Sequence, residues 1–189
     1  VTTNEPLAMP VPTAGTVTFT HDNKNRLQGA GNGFDNDGNQ TTVNNNTYQF
    51  DEQDRLIAAL GNQFLYDGLG HRRSKTKNSI VTRYILDIVS GMSKVLMETD
   101  GNGAVQNYYV YGHSLISRIG SNGTSTHYYH GDARGSVIAM TDASETITHK
   151  YSYGAYGEVL NSVKPDFNPF QYVGQYGVMY DESDLLFMR

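Results

Sequence analysis

The sequence predicts an all-β protein, an antiparallel array of β-hairpins forming a curled or spiralling sheet or a partial barrel. Three observations predict it. First, a short phrase recurs roughly every 16 residues, which is room for one hairpin: an aromatic or other large residue, then Asp, then a tight polar turn. Second, apolar and polar residues alternate with a period of two, which puts one face of a strand in a core and the other in water. Third, no segment has a convincing helical pattern. The best candidate, Ile85 to Met97, contains Ser90-Gly91, is rich in β-branched residues and reads as strand, loop, strand.

Composition sets the limits. The chain has 189 residues, enough for one domain with a real core. Hydrophobic residues make up 38%, and no apolar run is long enough to cross a membrane as a helix. The 14 Tyr suit pleated, half-buried faces and the 20 Gly suit turns. Cys is absent, which removes disulfides and thiolate metal sites. Net charge is -5, and the one basic cluster, Arg72-Arg73-Ser74-Lys75-Thr76-Lys77, reads as a solvated hairpin. The acidic balance argues against nucleic acid as a partner.

The segment 1–15 carries Pro6, Pro10 and Pro12, lacks repeat character and reads as a docked terminus, seated on its own sheet or on a neighbouring chain. Val1 in place of Met, with no signal-like segment, fits a processed product whose secretion signal lies elsewhere. Residues 16–92 form the first stretch of repeats. Val17 and Phe19 alternate with Thr16, Thr18 and Thr20. The phrase then reads His21-Asp22, Phe34-Asp35-Asn36-Asp37-Gly38, Phe50-Asp51-Glu52-Gln53-Asp54, Tyr66-Asp67-Gly68-Leu69-Gly70 and, decayed, Leu86-Asp87. Three residues after the Asp stand Asn25, Gly38, Asp54 and Gly70, and Gly103 after Asp100; all tolerate the left-handed conformation that a bulged hairpin loop needs. The Asp carboxylate is expected to accept backbone N–H bonds from its own turn, and the aromatic to end a strand and fill the stack. Residues 93–189 continue the same domain. Ile147, His149, Tyr151 and Tyr153 alternate with Thr146, Thr148, Lys150 and Ser152, and Asp-Gly and Asn-Gly pairs mark further turns.

The aromatic-Asp units resemble YD repeats, and residues 93–189 resemble the RHS repeat-associated core domain. The carrying segments are Val95 to Gly103, Tyr108-Tyr109-Val110-Tyr111-Gly112, Tyr128-Tyr129-His130-Gly131-Asp132-Ala133-Arg134-Gly135-Ser136-Val137, Tyr151-Ser152-Tyr153-Gly154-Ala155-Tyr156-Gly157-Glu158, Asn168 to Gly174 and Tyr180 to Arg189. The resemblance covers about residues 16–189. It implies a long antiparallel sheet that spirals on itself, forming a hollow shell around a toxin in delivery proteins and an adhesion-receptor barrel in teneurins. Two departures matter. The chain stops at Arg189, before the family's self-cleaving aspartyl site and toxin, and it is much shorter than family shells.

The structural repeat motif is thus assigned to Phe34, Asp35, Gly38, Phe50, Asp51, Asp54, Tyr66, Asp67, Gly70, His130, Asp132, Gly135, Ser136, Tyr151, Tyr153 and Gly157. His130 and Asp132 have metal-ligand spacing, with His127 and His149 in the same half, but the resemblance implies a turn-forming role. Paired carboxylates could serve a glycosidase, yet these Asp residues sit in turns. No catalytic, metal or cofactor site is therefore assigned, and the chain is expected not to be an enzyme. About ten hairpin-like units fit, and open sheets rarely exceed ~10 strands without curling. An uncovered edge strand recruits further strands. The expected function is a non-catalytic structural protein, extracellular or at the cell surface, that self-associates through its edges into a fibre or tube. Two alternatives stand beside it: a fragment of a shell that encapsulates a toxin, and a glycan-binding or adhesion module using exposed Tyr stripes.

Overall fold

The computed structural model describes residues 18–29, 31–89, 92–182 and 185–188. The expectation of a docked terminus over residues 1–15 falls outside them. The described residues divide into two compact units, with the chain passing from one to the other between Thr82 and Arg83. Among them there is no helix long and apolar enough to cross a membrane.

In the first unit, β1 (Thr20–His21) and β2 (Leu27–Gln28) form a separate small hairpin. A meander follows: β3 (Gly33–Phe34), β4 (Gln40–Val43), β5 (Asn46–Phe50), β6 (Leu56–Ala59), β7 (Asn62–Tyr66) and β8 (Arg72–Lys77). The strand β9 (Ile80–Asp87) contains the division, and β10 (Lys94–Asp100) is the next strand; Ser90-Gly91 lie outside the described residues. Then come β11 (Val105–Tyr111), β12 (Leu115–Gly120), β13 (Thr126–Gly131), β14 (Val137–Asp142), β15 (Ile147–Tyr153) and β16 (Val159–Val163). From β3 to β16 the strands form one 14-stranded antiparallel sheet in sequence order, without a crossover. After β16 the chain makes a 3₁₀ turn, Gly174–Tyr176, and a last hairpin of β17 (Met179–Tyr180) and β18 (Leu186–Phe187).

Period-two alternation survives in the burial. Phe64 is buried and Leu65 exposed; Tyr109 is buried and Tyr108 exposed; Tyr129 is buried and Tyr128 exposed. In the first unit, the Arg72 guanidinium lies 4.0 Å over the Phe64 ring and covers it. In the second unit, Tyr84, Val95, Tyr109, Leu115, Tyr129, Val137, Met140, Tyr151 and Tyr153 form one core with Phe170 and Met179. These residues come from seven successive strands, which would span about 30 Å if flat. They reach a single cluster because the sheet curls around the segment that follows β16. Phe170 meets Tyr109 edge-on at 4.9 Å, the Tyr129 hydroxyl donates to Asn168 at 2.9 Å, and the Val137 N–H donates to the Gln171 carbonyl at 2.9 Å.

Gly135 is required twice over. Its φ is 81°, and a Cβ there would overlap the Tyr176 ring. Gly38 has a φ of 99° but open space around it. Gly135→Ala should therefore cost about 1–3 kcal/mol in urea unfolding, and Gly38→Ala no more than about 1 kcal/mol. Equal costs at the two positions would contradict this account.

Candidate functional site

The repeated Asp residues share one local geometry. In the turns at Asp22, Asp35, Asp51, Asp67, Asp100, Asp132 and Asp142, Oδ1 accepts the N–H groups two and four residues on, at 2.8–3.0 Å. The Asp N–H donates to the carbonyl four residues later, as from Asp51 to Arg55 at 3.0 Å. The residue three after the Asp has positive φ in each turn: Asn25, Gly38, Asp54, Gly70, Gly103, Gly135 and Glu145. A one-residue register shift follows, as at Gln49/Phe50 and Leu65/Tyr66. The bond from the Arg26 N–H holds the Asp22 carboxyl below its ordinary pKa, and that from the His71 N–H does the same for Asp67. For Asp35 and Asp51 desolvation pushes the other way and is outweighed by such bonds.

The phrase also joins one repeat to the next. Arg26 pairs with Asp22 at 2.7 Å and lies 5.0 Å over the ring of Phe34, the aromatic of the following repeat. Arg55 likewise pairs with Asp51 at 2.7 Å and covers Tyr66 at 5.1 Å. The Asp-x-x-x-Arg spacing is the one sequence signal of this link, and it does not show which ring the Arg covers. Phe34, Phe50 and Tyr66 are half-buried.

His130, Asp132, Gly135 and Ser136 sit at the β13–β14 hairpin. His130 Nε2 is 2.9 Å from Thr141 Oγ1, Asp132 closes the turn, and Ser136 Oγ accepts the Val173 N–H at 3.1 Å. Tyr151 and Tyr153 stack in the core, and the Tyr153 hydroxyl donates to the Val137 carbonyl at 2.6 Å. Gly157 closes the next hairpin, where a Cβ would press on Tyr172. Gly154 takes the Asp place there, and the Glu158 carboxylate accepts the Tyr156 N–H instead.

The densest polar cluster lies where residues 164–177 cross the core. Arg118, only 4% exposed, donates to both Asp166 oxygens at 3.1 and 2.8 Å and to the Phe167 carbonyl at 2.8 Å. His149 is fully buried, with Nε2 2.7 Å from Asp166 Oδ1 and Nδ1 2.9 Å from Thr148 Oγ1. His127 meets the His149 ring edge-on at 5.4 Å. Partial burial works against the Asp166 charge, but the His149 bond and the Arg118 guanidinium win and hold its pKa well below the ordinary carboxylate range. Burial pushes the Tyr109 and Tyr129 hydroxyls well up, and that of Tyr151 to about 12. The Tyr151 hydroxyl feels the Asn168 side chain without meeting strict hydrogen-bond geometry. Carboxylate, imidazole and Thr148 hydroxyl stand in a nucleophile-like order, but His149 is sealed from solvent, so the arrangement ties rather than reacts. Arg118 and Asp166 are 48 residues apart, and no sequence signal joins them. Among the described residues, no three His, Asp or Glu side chains converge as metal ligands.

The Teneurin YD-shell family matches residues 10–188. The chain belongs to that family. As a YD-shell protein it is 35% identical over 168 residues to the tRNA3(Ser)-specific nuclease WapA of Bacillus spizizenii, covering 82% of this chain and 7% of that protein. It is 32% identical over 166 residues to the tRNA nuclease WapA of Bacillus subtilis, again 82% and 7%. The crystal structure of TcdB2-TccC3-TEV matches with a TM-score of 0.54 at 14% identity, over 78% of this chain and 9% of that one. The Photorhabdus luminescens Tc holotoxin pore matches with a TM-score of 0.54 at 15% identity, over 78% and 8%. These structures share the YD-shell fold. The chain spans only 7% of the length of the curated relatives it matches.

These relatives correct the expectation that the chain is not an enzyme: they are named nucleases. The repeated Asp carboxylates of this chain sit in its turns and carry no signal of an activity named for proteins of which a stretch this size is 7%. The relatives also favour the toxin-shell alternative over the fibre.

Two substitutions test the cluster and the turns. Asp166→Ala should cost about 2–3 kcal/mol, because it strands the buried Arg118; half-exposure of Asp166 keeps this at the low end. Asp51→Ala should cost less, because it removes the two backbone N–H bonds that close one hairpin turn. Denaturant midpoints measure both, and a larger loss at Asp51 would overturn the ranking.

Proposed function

We propose that this chain is a stretch of shell wall in a larger secreted toxin, and that the whole protein cleaves tRNA. The carrying observation is the identity of 32–35% over 82% of the chain to proteins named as tRNA nucleases, together with the YD-shell match over residues 10–188. The fold supports the reading. A sheet in strict sequence order extends by adding hairpins at its end, and each hairpin is closed by its own Asp turn, so a wall can be built to any length. In this reading the partner of the wall is a toxin domain of the same protein, and the wall keeps it from substrate until delivery.

The test uses the full-length protein that carries this segment. Purified protein is incubated with total tRNA, intact and after brief proteolytic opening, and the particle is viewed by electron microscopy. The expected result is a hollow particle whose tRNA cleavage rises severalfold on opening. Full cleavage by the unopened particle, or no cleavage in either state, would remove the reading.

A further inference from the structure

Three pieces of chain meet at one end of the second unit's sheet. Met92 and Lys94 stand where β10 begins, Tyr111 ends β11, and Ser114 lies in the turn to β12. The 3₁₀ turn brings Gln175 and Tyr176 against them. Together they line a cavity of about 180 Å³. Its far wall is fixed in advance. The Gln175 N–H donates to the Gly135 carbonyl at 3.0 Å. A Cβ at Gly131 would overlap the Gln175 side chain, and one at Gly135 the Tyr176 ring, so both side chains lie against bare backbone. A wall that is already ordered spares a ligand part of the entropic cost of binding. Met92 and Tyr176 are exposed, so the cavity opens to solvent.

The chemistry of the lining selects the occupant. Met92, Tyr111 and Tyr176 offer thioether and ring surface to an apolar body. Lys94 supplies a cation. Its Nζ lies 5.5 Å from the centre of the Tyr111 ring, and among the described residues no carboxylate pairs with it. A ring face engages an ammonium from one side only, which leaves N–H donors for an acceptor. Ser114, Gln175 and His113 add hydrogen-bonding groups, and among the described residues no acid lines the cavity. Sites for drug-sized ligands span about 300–1,000 Å³, so this one has room for a single group of about the size of one residue. We propose that the cavity binds a small carboxylate with an aromatic or branched apolar body. The carboxylate takes the free donors of Lys94, and the body packs against Met92, Tyr111 and Tyr176.

The site is made of this chain's residues alone and does not depend on whether the whole protein is a nuclease. NMR titration of the chain tests it, following the Met92 methyl and the Tyr111 and Tyr176 rings. The probes are 3-phenylpropanoate and its uncharged analogue 3-phenylpropanamide. The acid should bind saturably and about threefold to fivefold tighter than the amide at low salt, the range of one exposed ion pair, and high salt should shrink the difference. Lys94→Met keeps the apolar stem and should make the two probes equal. Ser114→Leu fills the cavity and should weaken both. Equal affinities in the unmodified chain, shifts that do not saturate or that fall elsewhere, or a preference for the acid that survives in Lys94→Met, overturn the proposal. If a variant does not fold, the unmodified chain still decides, through acid against amide and low against high salt. A short peptide ending in Phe carries the same group on a chain terminus. Tighter binding of that peptide supports the site with a chain end as its natural occupant, and tighter binding of 3-phenylpropanoate supports it with a free small molecule.

Discussion

One carboxylate accepting two backbone N–H groups is the constraint on which the rest of this fold depends. A hairpin tip leaves polar backbone groups with nowhere to go except water or a side chain. Here Asp51, Asp67, Asp132 and their counterparts take them, and the residue three positions on adopts positive φ so that the strand can return. The return is one residue out of step with the outgoing strand, and that bulge increases local twist. Repeated at hairpin after hairpin, the added twist curls the sheet, and the curl lets seven strands of the second unit share one core. Local turn chemistry thus becomes curvature.

Curvature alone does not decide what lies inside it. The segment after β16 brings Phe170, which could slide along an apolar floor, and Asp166, which could not. Two buried donors from different strands, Arg118 and His149, converge on that carboxylate and give it one seat. Such a tie contributes little net stability against a well-packed apolar substitute, because both partners must first leave water. Its value is position: with Asp166 seated, Asn168 meets Tyr129 and Gln171 meets Val137.

The hairpin array was legible because its signals are short-range. Period-two alternation and the Asp with its left-handed residue three positions later both act within a few residues, and strand and turn sit where those signals put them. The Arg26–Phe34 and Arg55–Tyr66 contacts were half legible, since Asp-x-x-x-Arg is visible but the ring it covers belongs to the next hairpin. The Arg118–Asp166–His149 tie was not legible, because its members come from two strands and a loop brought together only by the curl. His130 and His149 illustrate the difference: they look like equals in sequence, yet one is exposed beside Thr141 and the other sealed beneath Asp166.

The strict sequence order of the sheet has a consequence for how the chain reaches this state. Every strand from β4 to β15 pairs with the strands before and after it in the chain, so each new pairing closes only a short loop. The array can zip from one end as the chain emerges, one hairpin at a time, without waiting for distant partners. Residues 164–177 are the exception. Their contacts reach back to β11, β12 and β13, which must already stand side by side before Asp166 and Phe170 have anywhere to land. Assembly therefore has a direction, and sealing the core is its last step.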